Sequence, residues 1–453
     1  MERHFSQWTR TILFGLALGM GSMLQAAPTS PGDLSATQEE TPQVSEDVKA
    51  ALEDFRNLKF DDAIAKLEAA RANNPDMAPP QLILAQWFGL ANQGQAVRQA
   101  IEQTITKYAD DPEAYVVLAE LNLQNGGITE AQLLYTQAAS LNGKFTGSAV
   151  RKENIQKRIL LGLAQVFVAR GNFADAEKYL QTVLASDANN VAALNLLGLI
   201  QFRNNQPAEV LKTYEKVKAA QPNTLLPEAR LAMMYQQKGD DESKKEAAKY
   251  MVEAIKKAPR DVDVRLVATQ WSLQIGNVKQ AASQADAALK LKADSQEAQI
   301  LRGVVALFEK NFTVAEENFQ KVLSASPSNF AASNNLALAL CEQGDETKLK
   351  KAEEYALVNI RQFQNQPEAF STAAWISYKK GAYNDALQLL QKAAQLSGGQ
   401  MNPDTAYYLA ATLAKLGSDE QKNQAKELVK KILESTAPFS MRPEAEALAK
   451  ELN

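Results

Sequence analysis

The amino-acid sequence predicts an all-α protein built as a solenoid, and two observations carry that prediction. The first is a motif that returns about every 34 residues, from roughly residue 45 to residue 435. Residues 367–396 form a clear copy, with a large residue at Phe370, small ones at Ala373 and Ala374, and a turn at Gly381. The second is that apolar residues inside each copy recur at helical spacing. A repeat period of about 20–50 residues indicates a stack of small units instead of one compact core.

Each copy carries the signals of two helices joined by a turn. The first helix, for example residues 329–343, has Phe330, Leu336 and Leu340 on one face. A glycine near its end supplies the left-handed conformation that closes a helix. The second helix places a small residue where the two helices cross closely. The predicted turn glycines are Gly126, Gly171, Gly239, Gly276, Gly344, Gly381 and Gly417. The predicted crossing residues are Ala63, Ala100, Ala131, Ala176, Val210, Ala247, Ala281, Ala315, Ala352, Ala386 and Ala425.

Irregular spacings suggest how the stack is divided. Charged insertions at 240–246, 345–351 and 418–424 are interpreted as longer turns. The widest gap, between Ala131 and Ala176, contains residues 141–154, which we interpret as a longer loop or a hinge. The predicted organisation is therefore N-terminal repeats over 45–140, C-terminal repeats over 155–434, and a capping helix with a polar outer face over 435–453.

The small-residue pair, turn glycine, central alanine and buried large residue resemble the tetratricopeptide repeat (TPR) family. The resemblance covers residues 45–435 and is strongest in 112–141, 191–222, 296–327 and 367–396. It implies about 11 antiparallel helix pairs stacked into a right-handed superhelix with a concave inner face. The family binds peptides and organises complexes, and the fold alone implies no single activity.

The N-terminus is interpreted as a signal peptide over residues 1–26. Arg3 and Arg10 precede an apolar run from Thr11 to Leu24, and Ala26 and Ala27 follow as small residues for cleavage after Ala26. The run is shorter than the roughly 20 residues that span a bilayer. An uncleaved anchor is the alternative. Residues 27–44, rich in Pro, Ser, Thr and acid, are predicted to form a flexible linker.

The residue inventory argues against catalysis. The sole histidine, His4, lies in the signal peptide and the sole cysteine is Cys341, so neither a Ser-His-Asp site nor a typical zinc site is available. No catalytic residue, metal or cofactor is predicted. The net charge of −4 gives no support to nucleic-acid binding. The shortage of cysteines favours a bacterial, periplasmic or secreted protein without internal disulfides.

The resemblance places the binding face on particular positions of each first helix. Trp375, Tyr378 and Tyr407 are predicted to form an aromatic recognition patch, because aromatic anchors dominate interface energies. Asn334 and Asn335 could hydrogen-bond a bound peptide backbone. The full set of candidate peptide-binding residues is Trp375, Tyr378, Tyr407, Asn334, Asn335, Phe308, Leu307, Phe202 and Asn195. Packing between neighbouring units is the alternative role for each of them.

These observations predict a non-catalytic protein- or peptide-binding scaffold or adaptor in a cell-envelope complex. We expect peripheral association with that complex and no membrane span after signal cleavage. A glycan-binding or carbohydrate-active envelope protein is the alternative, and two carboxylates converging opposite Trp375 would favour it. A structural element that self-associates through its end units is a third hypothesis.

Overall fold

The structure is a computed structural model that describes residues 42–74, 76–91, 93–435 and 437–452. The predicted signal peptide lies outside these residues, as does most of the predicted linker. The linker was expected to extend to residue 44, but the first helix, α1, already begins at Pro42. None of the helices within the described ranges is long and apolar enough to cross a membrane.

The described residues form 23 α-helices in two compact units that meet in sequence at Thr224 and Leu225. The helices of the N-terminal unit are α1 (Pro42–Arg56), α2 (Phe60–Asn73), α3 (Pro80–Leu90), α4 (Gly94–Lys107), α5 (Pro112–Gln124), α6 (Ile128–Lys144), α7 (Ala149–Ala169), α8 (Phe173–Ser186), α9 (Val191–Arg203) and α10 (Pro207–Ala220). Those of the C-terminal unit are α11 (Pro227–Lys238), α12 (Asp241–Lys257), α13 (Val262–Gln274), α14 (Val278–Leu291), α15 (Gln296–Phe308), α16 (Phe312–Ala325), α17 (Phe330–Glu342), α18 (Glu346–Gln362), α19 (Pro367–Lys379), α20 (Tyr383–Leu396), α21 (Pro403–Leu416), α22 (Asp419–Glu434) and α23 (Arg442–Glu451).

Consecutive helices pack as pairs, five in the N-terminal unit and six in the C-terminal unit, with α23 left over at the end. The prediction of an all-α solenoid of about 11 helix-turn-helix repeats is therefore confirmed. The predicted turn glycines all adopt positive φ, from 71° at Gly344 to 84° at Gly417. Three turns reach the left-handed region without glycine, at Leu58, Asn205 and Lys310.

The charged insertions lengthen helices instead of turns, which corrects the sequence interpretation. The helices that begin with them, α12, α18 and α22, have 17, 17 and 16 residues, against 14 in α8, α14 or α16. The reason is local. Asp240, Asp345 and Ser418 cap these helices by accepting a backbone N–H three residues on. The Glu- and Lys-rich residues that follow are good helix formers.

The segment 141–154 is mostly helical, so the longer loop predicted there is reduced to residues 145–148 between α6 and α7. Its ends are held in place by hydrogen bonds. The Ser148 hydroxyl accepts the Arg151 N–H (3.2 Å), and the Asn142 amide donates to the carbonyl of Lys152 (3.2 Å). The division between the two units falls instead in the connection between α10 and α11.

Small residues set the distance between packed helices. The crossing residues Ala63, Ala131, Ala176 and Ala247 are fully buried. Glycines extend the same principle in three first helices, where a neighbouring ring occupies the space that a side chain would need. A Cβ added to Gly162 would lie 2.0 Å from the Cζ of Tyr135. The rings of Tyr214 and Phe319 crowd Gly198 and Gly303 in the same way.

We expect Gly162→Ala to destabilise the N-terminal unit. Alanine is the better helix former by about 1 kcal/mol, but the clash with the Tyr135 ring makes overpacking dominate, at about 1–3 kcal/mol net. Gly143→Ala is the matched control, because Gly143 lies in α6 with open space around it. Urea unfolding followed by circular dichroism measures both. A Gly162→Ala midpoint equal to or above that of the wild type would contradict the packing argument.

Candidate functional site

Some of the candidate residues of the C-terminal unit lie together in the structure, and most of these are buried. Leu307 of α15, Trp375 of α19 and Tyr407 of α21 belong to one apolar cluster, in which Tyr378 is partly buried. Trp375 is 3% exposed and Tyr407 7%. Trp375 and Tyr407 are therefore not accessible to solvent in this structure, because other side chains cover them.

Trp375 lies between two tyrosine rings. Tyr378 stacks on it with centroids 4.7 Å apart, and Tyr408 stacks with centroids 4.4 Å apart. Its indole N–H donates to Glu342, which also pairs with Lys379 at 3.0 Å. Tyr408 was missed by the sequence reasoning, which assigned only its neighbour Tyr407 to the inner face. Stacking of this kind leaves no free indole face for a sugar ring, and Glu342 is already engaged, so the glycan alternative loses its supporting feature.

Residues 437–452, which we call the closing segment, supply the cover. The segment comprises a short non-helical stretch followed by α23, and its residues Phe439, Met441, Ala445 and Leu448 are buried in the same apolar cluster as Trp375 and Tyr407. It was expected to be a terminal cap over 435–453. It does pack on α22, but it also contacts Lys310, which follows α15.

Polar contacts fix the position of the closing segment. The Asp404 carboxylate, at the start of α21, accepts the Ser440 hydroxyl and the Met441 N–H, both at 3.0 Å. The ammonium of Lys310, after α15, pairs with Glu444 at 2.9 Å and lies 3.5 Å from the sulfur of Met441. The two partners Lys310 and Asp404 belong to helix pairs that are separated by two others in the chain.

Burial shapes the electrostatics of this face. It raises the pKa of the Asp404 carboxyl, and the hydrogen bonds from Met441 and Ser440 only partly oppose the effect. Burial also raises the pKa of Tyr407, and the Glu444 and Glu451 carboxylates of the closing segment raise it further. Burial raises the pKa of the Cys341 thiol to about 12, with a further contribution from Glu342.

The remaining candidates of the C-terminal unit have local roles. The Asn335 amide donates to the carbonyl of Ala331 in its own helix (2.9 Å). Asn334 is 5% exposed, and its side-chain oxygen has no hydrogen-bond donor among the described residues. Phe308 is partly buried against Leu273 and Val305, between neighbouring helix pairs.

The N-terminal unit leaves its two candidates partly accessible. Asn195 and Phe202 are half-buried on α9, with the half-buried Leu199 between them on the same face. The inner face of this unit also carries an ion-pair network that the sequence reasoning did not find.

The network joins α5 to α7. Arg151 pairs with Asp111 (2.8 Å) and Glu113 (2.9 Å), and Arg158 pairs with Glu113 (2.9 Å) and Glu120 (2.8 Å). Burial alone would lower the pKa of Arg158, but the Glu120 and Glu113 carboxylates raise it. These acids neutralise buried arginines, and this arrangement gives them a structural role.

Comparisons with known proteins indicate one family. Two segments, residues 161–223 and 306–348, match the sequence profile described as tetratricopeptide repeat. Tetratricopeptide repeat protein 21B of Xenopus laevis is 22% identical over 269 residues, which are 54% of this chain and 20% of that protein. The chain thus spans about a fifth of the length of that curated relative.

Solved structures with a similar fold have low sequence identity. A tetratricopeptide repeat protein from Parabacteroides merdae is 16% identical and covers 66% of this chain and 98% of its own, with a TM-score of 0.39. Yeast Tom70 is 16% identical, covers 90% and 88%, and has a TM-score of 0.36. The type IV pilus biogenesis factor PilW is 19% identical, covers 48% and 96%, and has a TM-score of 0.37.

We expect Arg158→Ala to cost about 3 kcal/mol in unfolding free energy, because it leaves the buried Glu113 and the partly buried Glu120 with one cation fewer. Its chain neighbour Lys157 is the matched control, since it forms an i,i+4 pair with the exposed Glu153 and is itself partly exposed. Lys157→Ala should cost no more than about 0.5 kcal/mol. Similar losses in the two variants, measured by urea unfolding, would show that the network contributes no more than a surface ion pair.

We expect Cys341 to resist alkylation in the folded protein. The thiol is 2% exposed and its pKa is about 12, so little thiolate is present at pH 8. Iodoacetamide should modify it at least ~100-fold more slowly than in the urea-unfolded chain. Mass spectrometry gives both rates without ambiguity, because the chain has one cysteine. Equal rates would contradict the burial of this part of the inner face.

Proposed function

We propose that this chain, two segments of which match the tetratricopeptide repeat profile, is a non-catalytic scaffold or adaptor that binds a protein or peptide segment through the inner faces of its helix stacks. Proteins with this repeat architecture are generally protein-interaction adaptors. The observation that carries the proposal is the closing segment, because the inner face of the C-terminal unit already holds a peptide segment of the same chain.

The contacts of the closing segment are those of a peptide-binding groove. Apolar side chains such as Phe439 and Leu448 are buried in the cluster that contains the aromatic residues. The Asp404 carboxylate accepts the backbone N–H of Met441. This is the helix-in-groove mode of recognition, in which apolar anchors give affinity and flanking polar contacts give register.

The absence of catalysis is part of the proposal. Cys341 has a raised pKa, and a nucleophilic cysteine needs a lowered one. Glu120 is engaged by Arg158. Among the described residues, no cluster of three or more His, Cys, Asp or Glu side chains could hold a metal ion.

The cell envelope is the proposed location. Its support comes from the sequence: Arg3 and Arg10, the apolar run from Thr11 to Leu24, and the small residues Ala26 and Ala27. We propose that the exported protein associates peripherally with an envelope complex.

Crosslinking in cell envelopes tests the adaptor role. We expect the tagged whole chain to capture one or a few specific envelope proteins, identified by mass spectrometry. Phe202→Glu, which places a charge on the half-buried inner face of α9, should reduce capture at least ~10-fold if that face is the one engaged. Leu133→Glu is the matched control, because Leu133 is 67% exposed on a second helix, α6.

Each outcome has a defined meaning. Loss of the partner with Phe202→Glu alone would locate the site in the N-terminal unit. If both variants capture the partner as well as the wild type does, the site lies in the C-terminal unit. Capture of no protein by any form would contradict the adaptor proposal.

A further inference from the structure

The closing segment has the pattern of a groove ligand. Met441, Ala445 and Leu448 lie at i, i+4 and i+7 and form one buried face, while Glu446 and Lys450 are exposed on the other. Its helix, α23, has ten residues. Isolated helices shorter than about 12 residues are marginal in water, so the helical form of α23 depends on the face against which it packs.

The anchoring contacts are specific but incompletely satisfied. One oxygen of Glu444 pairs with Lys310, while the other is buried without a donor among the described residues. The buried carboxylate of Asp404 holds Ser440 and Met441 at the cost of its own desolvation. An unmet hydrogen bond of this kind weakens the hold of the groove on the closing segment.

The groove itself holds an acceptor that the closing segment leaves unused. Asn334 lies one turn before Leu338 on α17, on the helix face that also carries Cys341. Leu338 and Cys341 belong to the apolar cluster that includes the closing segment. The side-chain oxygen of Asn334 is buried and has no donor in the described part of the chain.

We propose that the inner face of the C-terminal unit, from Lys310 to Tyr407, is a binding groove for an amphipathic helical segment of a partner protein, and that this segment displaces residues 437–452. The partner segment carries apolar residues at the spacing of Met441, Ala445 and Leu448. It carries an acidic side chain in place of Glu444 to pair with Lys310, and a donor for Asn334. The closing segment is then a competitor within the chain that keeps the apolar face covered until the partner arrives.

This inference rests on the proposed adaptor function and adds the location and chemistry of the site. The partner is identified by complementarity to the groove. An apolar surface that carries Lys310 opposite the Glu444 position favours an amphipathic segment with an acid at that position, and a strongly basic segment would oppose Lys310. The competing segment weakens the apparent affinity of the partner, because the association constant is multiplied by the fraction of time for which the groove is open.

Peptide binding to the whole chain tests the inference. The probe is a fluorescein-labelled synthetic peptide of residues 435–453. The test variant, Met441→Ser/Leu448→Ser, weakens the closing segment and leaves the groove unchanged. The matched control, Glu446→Ser/Lys450→Ser, changes two exposed residues of the same helix. We expect the test variant to bind the probe at least ~10-fold more tightly than the wild type or the control.

A charge exchange identifies the site. In the test variant, Lys310→Glu should weaken probe binding, and a probe with Glu444→Lys should restore it. The inference is overturned if the test variant retains its helical circular dichroism yet binds no probe, or if Lys310→Glu changes nothing. It is also overturned if sedimentation shows that two copies exchange their closing segments, because the occupant would then be a second copy of this chain.

Repeating the envelope crosslinking separates this inference from the adaptor proposal. We expect the test variant to capture more of the envelope partner than the wild type, and excess unlabelled probe to compete. Capture that neither change affects would remove the groove assignment and leave the adaptor role standing. Probe binding to the groove with no envelope protein captured would support the groove assignment and contradict the adaptor proposal.

Discussion

The close crossing of two helices over a small residue is the constraint on which the rest of this structure depends. At these crossings Ala281, Ala315, Ala352 and Ala386 are fully buried. A larger side chain there would push the helices apart and open voids along the whole pair, because protein interiors are packed as densely as organic crystals. Once the pair distance is set, a large residue from a neighbouring helix fills the remaining space, as the Phe319 ring does over Gly303.

A solenoid built on this constraint has no central core, so its inner face must be covered or charged. The inner faces of the two units differ in this respect. In the N-terminal unit, Arg151 and Arg158 tie α5 to α7 through three carboxylates. Networks of this kind add little net stability over apolar packing, but they penalise any arrangement that separates the partners. In the C-terminal unit the face is apolar, and the chain covers it with its own closing segment.

This difference affects how each face can be used. Opening a charged network in which all members are paired carries a large free-energy penalty, since removal of one partner leaves a buried charge. A short amphipathic helix that covers an apolar face can be replaced at a smaller free-energy penalty, because a second segment of the same pattern offers equivalent contacts. The polar contacts of Asp404 and Lys310 fix the register of the bound segment, so the register does not depend on extensive apolar complementarity.

The helix pairs and the turn glycines could be predicted from the sequence, because each depends on spacing within about 34 residues. Three interpretations failed for a local reason: capping by Asp240, Asp345 and Ser418 extended helices through the segments that were expected to be turns. The accessibility of Trp375 and Tyr407 could not be predicted. It depends on where the closing segment returns, and that contact joins residues such as Lys310 and Glu444 that are far apart in the chain. The repeat period therefore determined the architecture, whereas only the tertiary structure decided which inner face stays open, because burial is set by the elements that meet in space.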